Sequence, residues 1–280
     1  MRWQDKQRFT GKNTAGRKQH QTFWQFIKVL PMRGEINNPR YILATDLDGT
    51  LVGSRSALAE FNRVMSIHKR DFLLVYVTGR TLLSAWQLIL GENLLHPQVL
   101  ITDVGTEIYT PPWLRADAVW DGLMASRWDK GRIRSAIEGI DGLQEQGVRA
   151  RFRLAYYTDK TRFQEVVAGL SESLRKAGMP ATIIPSMERF IDVIPAGAGK
   201  GPALQYVQEF YRIKREDTFV CGDSGNDLSL FSKGYKGIVV GNAQWELIES
   251  VKQLPQEAYL AKSHYAGGIL EGLRSYGVID

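Results

Sequence analysis

Five short runs of unbroken apolar character punctuate the chain, at residues 41–45, 72–77, 98–102, 218–221 and 237–240. Each has the length of a strand and is followed by turn-forming residues. Continuous rather than alternating apolarity marks strands buried on both faces, which is the pattern of a parallel sheet. Helical segments lie between them, for example at residues 82–90 and 201–211. Strands alternating with helices predict an α/β domain with a doubly wound, Rossmann-like parallel sheet.

The middle of the chain has a different rhythm. Over residues 148–157 polar and apolar positions alternate strictly, which predicts a strand with Arg149, Arg151 and Arg153 on one side and Ala150, Phe152, Leu154 and Tyr156 on the other. A helix is predicted over about residues 161–176. Its Phe163, Val166, Val167, Leu170 and Leu174 form one stripe, and Gly178 stands near the C-terminal cap. Two more strands are predicted at 181–185 and 190–194. The domain expectation is therefore an α+β cap domain over residues 112–192, inserted between the third and fourth strands of a core made of residues 39–111 and 193–280. Residues 1–38 form a basic extension that reads as disordered.

Composition adds little to this picture until charge is located. The 280 residues carry 36 basic and 30 acidic side chains, a net charge of +6 with a pI near 9.3. Residues 1–31 hold seven basic side chains against one acid, Asp5, and the 29 basic and 29 acidic side chains of residues 32–280 cancel. The excess belongs to the leading segment, which weakens a nucleic-acid reading of the body. That segment is open to three readings: a surface-binding arm, an organelle transit peptide, or sequence ahead of a start at Met32. The one cysteine, Cys221, excludes an internal disulfide and fits a reducing, cytoplasmic setting. Inside a predicted strand it reads as a small apolar core residue. No apolar run approaches the roughly 18 residues of a membrane span.

Candidate chemistry lies at the strand ends. The first strand runs into Asp46-Leu47-Asp48-Gly49-Thr50, placing two carboxylates where open α/β sheets bind ligands. Such a pair suits phosphoryl transfer, one acid attacking phosphorus and the other serving the leaving alcohol. Thr78-Gly79-Arg80 follows the second strand and offers a hydroxyl and backbone N–H groups to a phosphate oxygen. Lys200, between Gly199 and Gly201 at a helix start, can neutralise a phosphoryl group. Gly222-Asp223-Ser224-Gly225-Asn226-Asp227 follows the fourth strand, and its acids are the hard oxygen donors that Mg²⁺ requires. Taken singly, each segment also reads as a turn, a helix start or a solvated charge. Their order, each at a strand end or a helix start, favours a common site.

These four segments resemble the motifs of the haloacid-dehalogenase superfamily of phosphotransferases. Residues 73–80, 104–108, 128–129, 194–201 and 220–227, with Val239-Val240-Gly241-Asn242-Ala243, Glu246-Leu247 and residues 266–270, further resemble the sucrose-phosphate phosphatases of plants and cyanobacteria. The related mannosylfructose-phosphate phosphatases share most of these segments, and residues 1–31 match neither. The resemblance implies a phosphatase that hydrolyses sucrose 6-phosphate to sucrose and phosphate through an aspartyl-phosphate. Another sugar phosphate, such as mannosylfructose phosphate, is the alternative substrate. It makes Asp46 the nucleophile and Asp48 the general acid and base. Thr78, Gly79 and Lys200 would hold the phosphoryl group. Asp46, the backbone carbonyl of Asp48, and Asp223 would ligate Mg²⁺, with Asp227 and Asn226 supporting them. Arg153, Tyr156 and Arg189 are candidate sugar contacts, and Trp128 could stack on a pyranose. Packing in a small cap core is the competing reading for Trp113, Trp120 and Trp128, and a solvated strand face for the three arginines. Where the family has an acid just before Asp192, this chain has Phe190, which removes a hydrogen-bond partner for a sugar. A sucrose-phosphate synthase type glycosyltransferase is the implied protein partner.

Overall fold

Strand β1 (Tyr41–Thr45) forms where the apolar run predicts it, and the chain then winds through α1 (Arg55–Ile67), β2 (Phe72–Val77), α2 (Leu82–Gly91) and β3 (Val99–Thr102). The computed structural model describes residues 39–110 and 115–280. The expectations for residues 1–38 and for Trp113 lie outside the described residues. After β3 come β4 (Glu107–Thr110), β5 (Arg115–Ala116), α3 (Ala118–Ser126) and α4 (Lys130–Ile137). The middle then holds β6 (Gln144–Glu145), β7 (Leu154–Tyr157), α5 (Phe163–Lys176), β8 (Ala181–Ser186) and β9 (Phe190–Pro195). The final third is α6 (Lys200–Tyr211), β10 (Thr218–Gly222), α7 (Leu228–Phe231), β11 (Lys236–Val239), α8 (Trp245–Val251), β12 (Tyr259–Leu260) and α9 (Tyr265–Ser275).

Eight strands make the larger sheet in the order β12-β11-β10-β1-β2-β3-β4-β5. All pairs from β12 to β3 are parallel, and β4 and β5 extend the β3 edge in antiparallel fashion. Successive residues of each central strand serve opposite faces, as the pleat demands. Leu43, Phe72, Leu74, Tyr76, Phe219 and Cys221 pack with apolar residues of α1, α2 and α9. Ile42, Ala44, Leu73, Val75, Val77 and Val220 pack with Trp120 and Met124 of α3, with Leu204 and Val207 of α6, and with residues of α7 and α8. Two covered faces explain why these strands show no alternation. Among the described residues no helix is long and apolar enough to cross a membrane.

Four antiparallel strands, in the order β6-β7-β9-β8, make the smaller sheet. The stripe of α5 lies on one face: Phe163, Val166, Leu170 and Leu174 pack with Ile133, Ile137, Leu154, Tyr156, Ile191 and Val193. The alternation over residues 148–157 is misleading, and its strand reading is corrected. Only residues 154–157 form a strand, and Phe152, Arg153, Leu154, Ala155 and Tyr156 are buried in succession. The reason is cover on both faces of the segment. Helices α4 and α5 lie on one side, while Phe152 reaches the core of the larger sheet and Arg153 reaches Asp103 after β3.

The expected insert, residues 112–192, contributes strands to both sheets. Strand β5 belongs to the larger sheet. Trp120 is anchored there too, its Nε1 donating to the Gly105 carbonyl at 3.3 Å and its ring 5.4 Å from that of Tyr206. At the other end β9 carries the smaller sheet through Pro195. Trp128 is partly buried between the two units, with Nε1 donating to the Arg151 carbonyl at 3.0 Å.

Candidate active site

The larger sheet reverses its winding at β1. From there the chain proceeds to β2 on one side and returns as β10 on the other, which is where open α/β sheets form a crevice at the carboxyl ends of their strands. Asp46 follows β1, Thr78 follows β2 and Asp223 follows β10. Parallel pairing holds the first and last of these loops side by side, the Asp46 N–H donating to the Cys221 carbonyl at 3.2 Å. Gly49 lets them touch. Its φ is +80°, and a Cβ there would stand 2.6 Å from an Asp223 carboxylate oxygen, so only glycine meets both demands.

Lys200 is the first residue of α6 and is fully buried. Its ammonium donates to Asp46 Oδ1 at 2.7 Å, to Asp227 Oδ1 at 2.7 Å and to Asn226 Oδ1 at 2.8 Å, which uses all three protons. Asp227 also accepts at Oδ2 from the backbone N–H groups of Asp223 and Ser224, at 3.0 and 3.2 Å. Both of its oxygens are thus employed in fixing Lys200 and the loop. Thr50 donates its hydroxyl hydrogen to Asp223 Oδ1 at 2.9 Å. Asn242 ties down the loop that follows β1, donating to the Gly49 carbonyl at 2.6 Å while accepting from the Tyr265 N–H at 2.8 Å.

Electrostatics in this cluster are set by burial. Loss of water pushes the Asp46 carboxyl well above the usual range, and Asp227 and Asp223 push it further against the opposing pull of Lys200. Asp223 is raised too, by burial first and then by Asp227. For Lys200 burial acts against the charge, yet the carboxylates of Asp227 and Asp46 outweigh it and hold the pKa above the ordinary lysine value. Asp46, Asp223 and Asp227 bring carboxylate oxygens within 4.8 Å of one another. Three crowded buried acids with one lysine among them leave negative charge in excess, and oxygen donors of this kind fit a hard divalent cation.

Asp48, two residues on, is exposed. Arg80 clamps it with a two-pronged pair, Nε to Oδ2 at 2.6 Å and Nη2 to Oδ1 at 2.7 Å. Thr78 is buried, and its hydroxyl accepts the Arg80 N–H at 3.1 Å. The helix after this loop is capped by Thr81, whose hydroxyl accepts from the Ser84 N–H, and begins at Leu82, where the sequence pattern puts it.

The structure brings Asp46, Asp48, Thr78, Gly79, Lys200, Asp223 and Asp227 to one crevice, and treats the expected sugar contacts differently. Arg153 is buried between two acids, Nη2 lying 2.8 Å from Asp103 Oδ1 and Nη1 3.2 Å from Asp192 Oδ1. It is neither a solvated face nor an unengaged sugar donor. Tyr156 packs its ring in the core of the smaller sheet. Arg189 is exposed and lies over the rings of Tyr157 and Phe190. The Phe190 ring in turn lies tilted against that of Tyr157, with centroids 5.5 Å apart, so an aromatic pair occupies the neighbourhood of the missing acid. Arg151 pairs with Asp121 at the surface. Burial pushes the Cys221 thiol up, as its reading as an inert core residue requires. Thr50, Arg80 and Asn242 are site residues to which the sequence reading assigned no role. The first two lay inside the quoted motifs, and Asn242 lay in Val-Gly-Asn-Ala.

Comparison with known proteins gives this geometry its relatives. A profile of the sucrose-6F-phosphate phosphohydrolase family matches residues 39–277. The protein named probable sucrose-phosphatase 2 of Arabidopsis thaliana is 34% identical over 252 residues, covering 84% of this chain. The chain spans only 59% of the length of that plant relative. The mannosylfructose-phosphate phosphatase of Agrobacterium fabrum is 29% identical, with 86% of this chain and 98% of that protein covered. Among solved structures, the sucrose-phosphatase of Synechocystis, determined in complex with sucrose and phosphate, superposes with a TM-score of 0.81 at 32% identity. That match covers 85% of this chain and 98% of the other.

Proposed function

Because the chain belongs to the sucrose-6F-phosphate phosphohydrolase family, we propose that it is a Mg²⁺-dependent phosphatase that hydrolyses sucrose 6-phosphate to sucrose and phosphate. The observation that carries the chemistry is the buried set of Asp46, Lys200, Asp227 and Asp223 at the crevice between β1 and β10. The choice of sugar is supported by the similarity to a phosphatase solved with sucrose and phosphate.

In the proposed reaction the Asp46 carboxylate attacks phosphorus in line with the ester bond, which breaks as the aspartyl-phosphate forms. Asp48 gives its proton to the departing sugar oxygen. It then takes a proton from water, which attacks phosphorus and releases phosphate and free Asp46. Both Asp48 oxygens accept one N–H from Arg80 in the structure, which holds the carboxyl in place and leaves each oxygen a second lone pair at which a proton can be exchanged. Lys200 holds the nucleophile in place and balances charge near the phosphoryl group, and Thr78 with the N–H groups of its loop receives a phosphoryl oxygen. Asp46, the Asp48 carbonyl and Asp223 would hold Mg²⁺, with Asp227 fixing the loop behind them. The ion supplies charge neutralisation and a template for the in-line geometry. The smaller-sheet unit, roughly residues 127–195, would act as the cap that covers the sugar and excludes bulk water. A sucrose-phosphate synthase type glycosyltransferase in the same, cytoplasmic compartment would be the source of the substrate.

The deciding experiment is Mg²⁺-dependent phosphate release from a panel of sugar phosphates. Sucrose 6-phosphate should give the highest kcat/KM, chelation of divalent ions should abolish turnover, and Asp46→Asn should lower kcat by about four orders of magnitude or more. Undiminished turnover in Asp46→Asn would overturn the nucleophile, and a higher kcat/KM for mannosylfructose phosphate would overturn the sugar.

A further inference from the structure

The turn joining β8 to β9 lies against the loop that follows β10. At Gly225 a Cβ would stand 3.3 Å from the Pro185 carbonyl oxygen and 2.8 Å from Glu246 Oε1. Glu246, on the first turn of α8, closes this junction. Its Oε1 accepts the Gly225 N–H at 2.9 Å and the Met187 N–H at 2.9 Å. One carboxylate oxygen therefore bridges the loop that carries Asp223 and Asp227 to the tip of the cap hairpin. The helix bearing Glu246 is itself moored to that loop, since the Gln244 N–H donates to the Asp223 carbonyl at 2.7 Å. The hairpin tip is a costly one. Met187 and Glu188 have φ of 54° and 49°, a conformation that glycine and asparagine adopt with ease and these two side chains do not. Backbone strain is kept where the surroundings over-determine it, and here the tip is held at both ends. The Arg189 N–H donates to the Ser186 carbonyl at 3.2 Å, and Met187 is bound by Glu246.

We infer that Glu246 is a positioning residue that catches the tip of the cap hairpin on the metal-binding loop and so sets how far the cap closes over the substrate. The inference rests on the reading of the chain as a capped sugar phosphatase. It gives a role to the Glu246-Leu247 segment, which the proposed catalytic steps leave unused. A charged acceptor suits the task, because its hydrogen bonds to backbone donors are roughly twice as strong as neutral ones. A single oxygen shared by both loops makes their positions interdependent.

The test uses the full chain with Glu246→Ala and Glu246→Gln, read by amide hydrogen exchange at Met187 and Gly225 and by kinetics on two substrates. Those substrates are the best sugar phosphate of the panel and p-nitrophenyl phosphate, whose small flat leaving group needs no cap. In Glu246→Ala, exchange at Met187 should quicken about tenfold, the factor expected for loss of a charged hydrogen bond. KM for the sugar phosphate should rise by a similar factor, and turnover of p-nitrophenyl phosphate should stay within about twofold. Glu246→Gln retains an acceptor oxygen and should restore most of both effects. Unchanged exchange at Met187, or equal losses on the two substrates, would overturn the inference and leave Glu246 as a support of the metal loop alone. Exchange needs no substrate, so a failure of the sugar assignment is distinguishable from a failure of the catch.

Discussion

Lys200 and Arg153 are both cations held between two acids, yet they do different work. Lys200 sits with Asp46 and Asp227 in the buried cluster at the crevice between β1 and β10. Arg153 joins Asp103, after β3, to Asp192 on β9 and so ties the two sheets together. Asp103 is the informative member of that set. Burial, the largest influence, pushes its carboxyl up to about 7 against the pull of Arg153, with Glu107 and Asp192 adding to the rise. In the unfolded chain an aspartate titrates near 3.9. Between those two values the folded chain binds a proton that the unfolded chain has released, so Asp103 favours folding at low pH and loses that contribution as pH rises through about 7. Asp103→Asn keeps a residue tolerant of the left-handed φ of 47° found here, and it cannot ionise. Its stability relative to the native chain should therefore climb between about pH 4 and pH 7, by about 2–4 kcal/mol in all. Urea unfolding at a series of pH values measures it. At this scale the sequence was legible at strand ends and helix starts, where Asp46, Asp223 and Lys200 were expected to converge and do. It was silent about partners supplied from far along the chain, such as Asn242 for the Gly49 loop, because nothing local marks which carbonyl a distant amide will meet.

At the scale of elements, strands covered on both faces were read with little error. The limits of β1 and β2 coincide with their apolar runs, and α5 presents the stripe its spacing predicts. Two-residue strands such as β5, β6 and β12 carry too few positions to show any period. Around β7 a period was present but meant something else, since Arg153 is buried by its acids rather than pointed at water. The β8–β9 hairpin carries a prediction of its own. Replacing Met187 by Asn and Glu188 by Gly supplies the residues that two successive positive φ angles favour. It should stabilise the chain by about 1–2 kcal/mol and raise Tm by roughly 2–6 °C, as followed by thermal denaturation. The Lys160–Glu188 ion pair lost in the exchange is solvent-accessible on the lysine side and worth little.

For the whole molecule, function and net charge are separable. All the residues placed in the candidate site lie between positions 46 and 242, within residues 32–280, whose formal charges cancel. A chain beginning at Met32 should keep kcat/KM within about twofold of the full chain, checked by side-by-side phosphate release, while its isoelectric point falls toward neutrality. The adjacency of β1 and β10 has a further consequence during synthesis. Register pairs Ala44 with Val220, and every residue of the smaller sheet is made between them. A chain emerging from the ribosome exposes one long edge of β1 until more than 170 further residues have followed, and an unpaired apolar edge is a template for mispairing. The same delay means that Asp46 meets Lys200 and Asp223 only after both have been made, so a chain that stops short of residue 223 lacks the buried cluster on which the proposed chemistry depends.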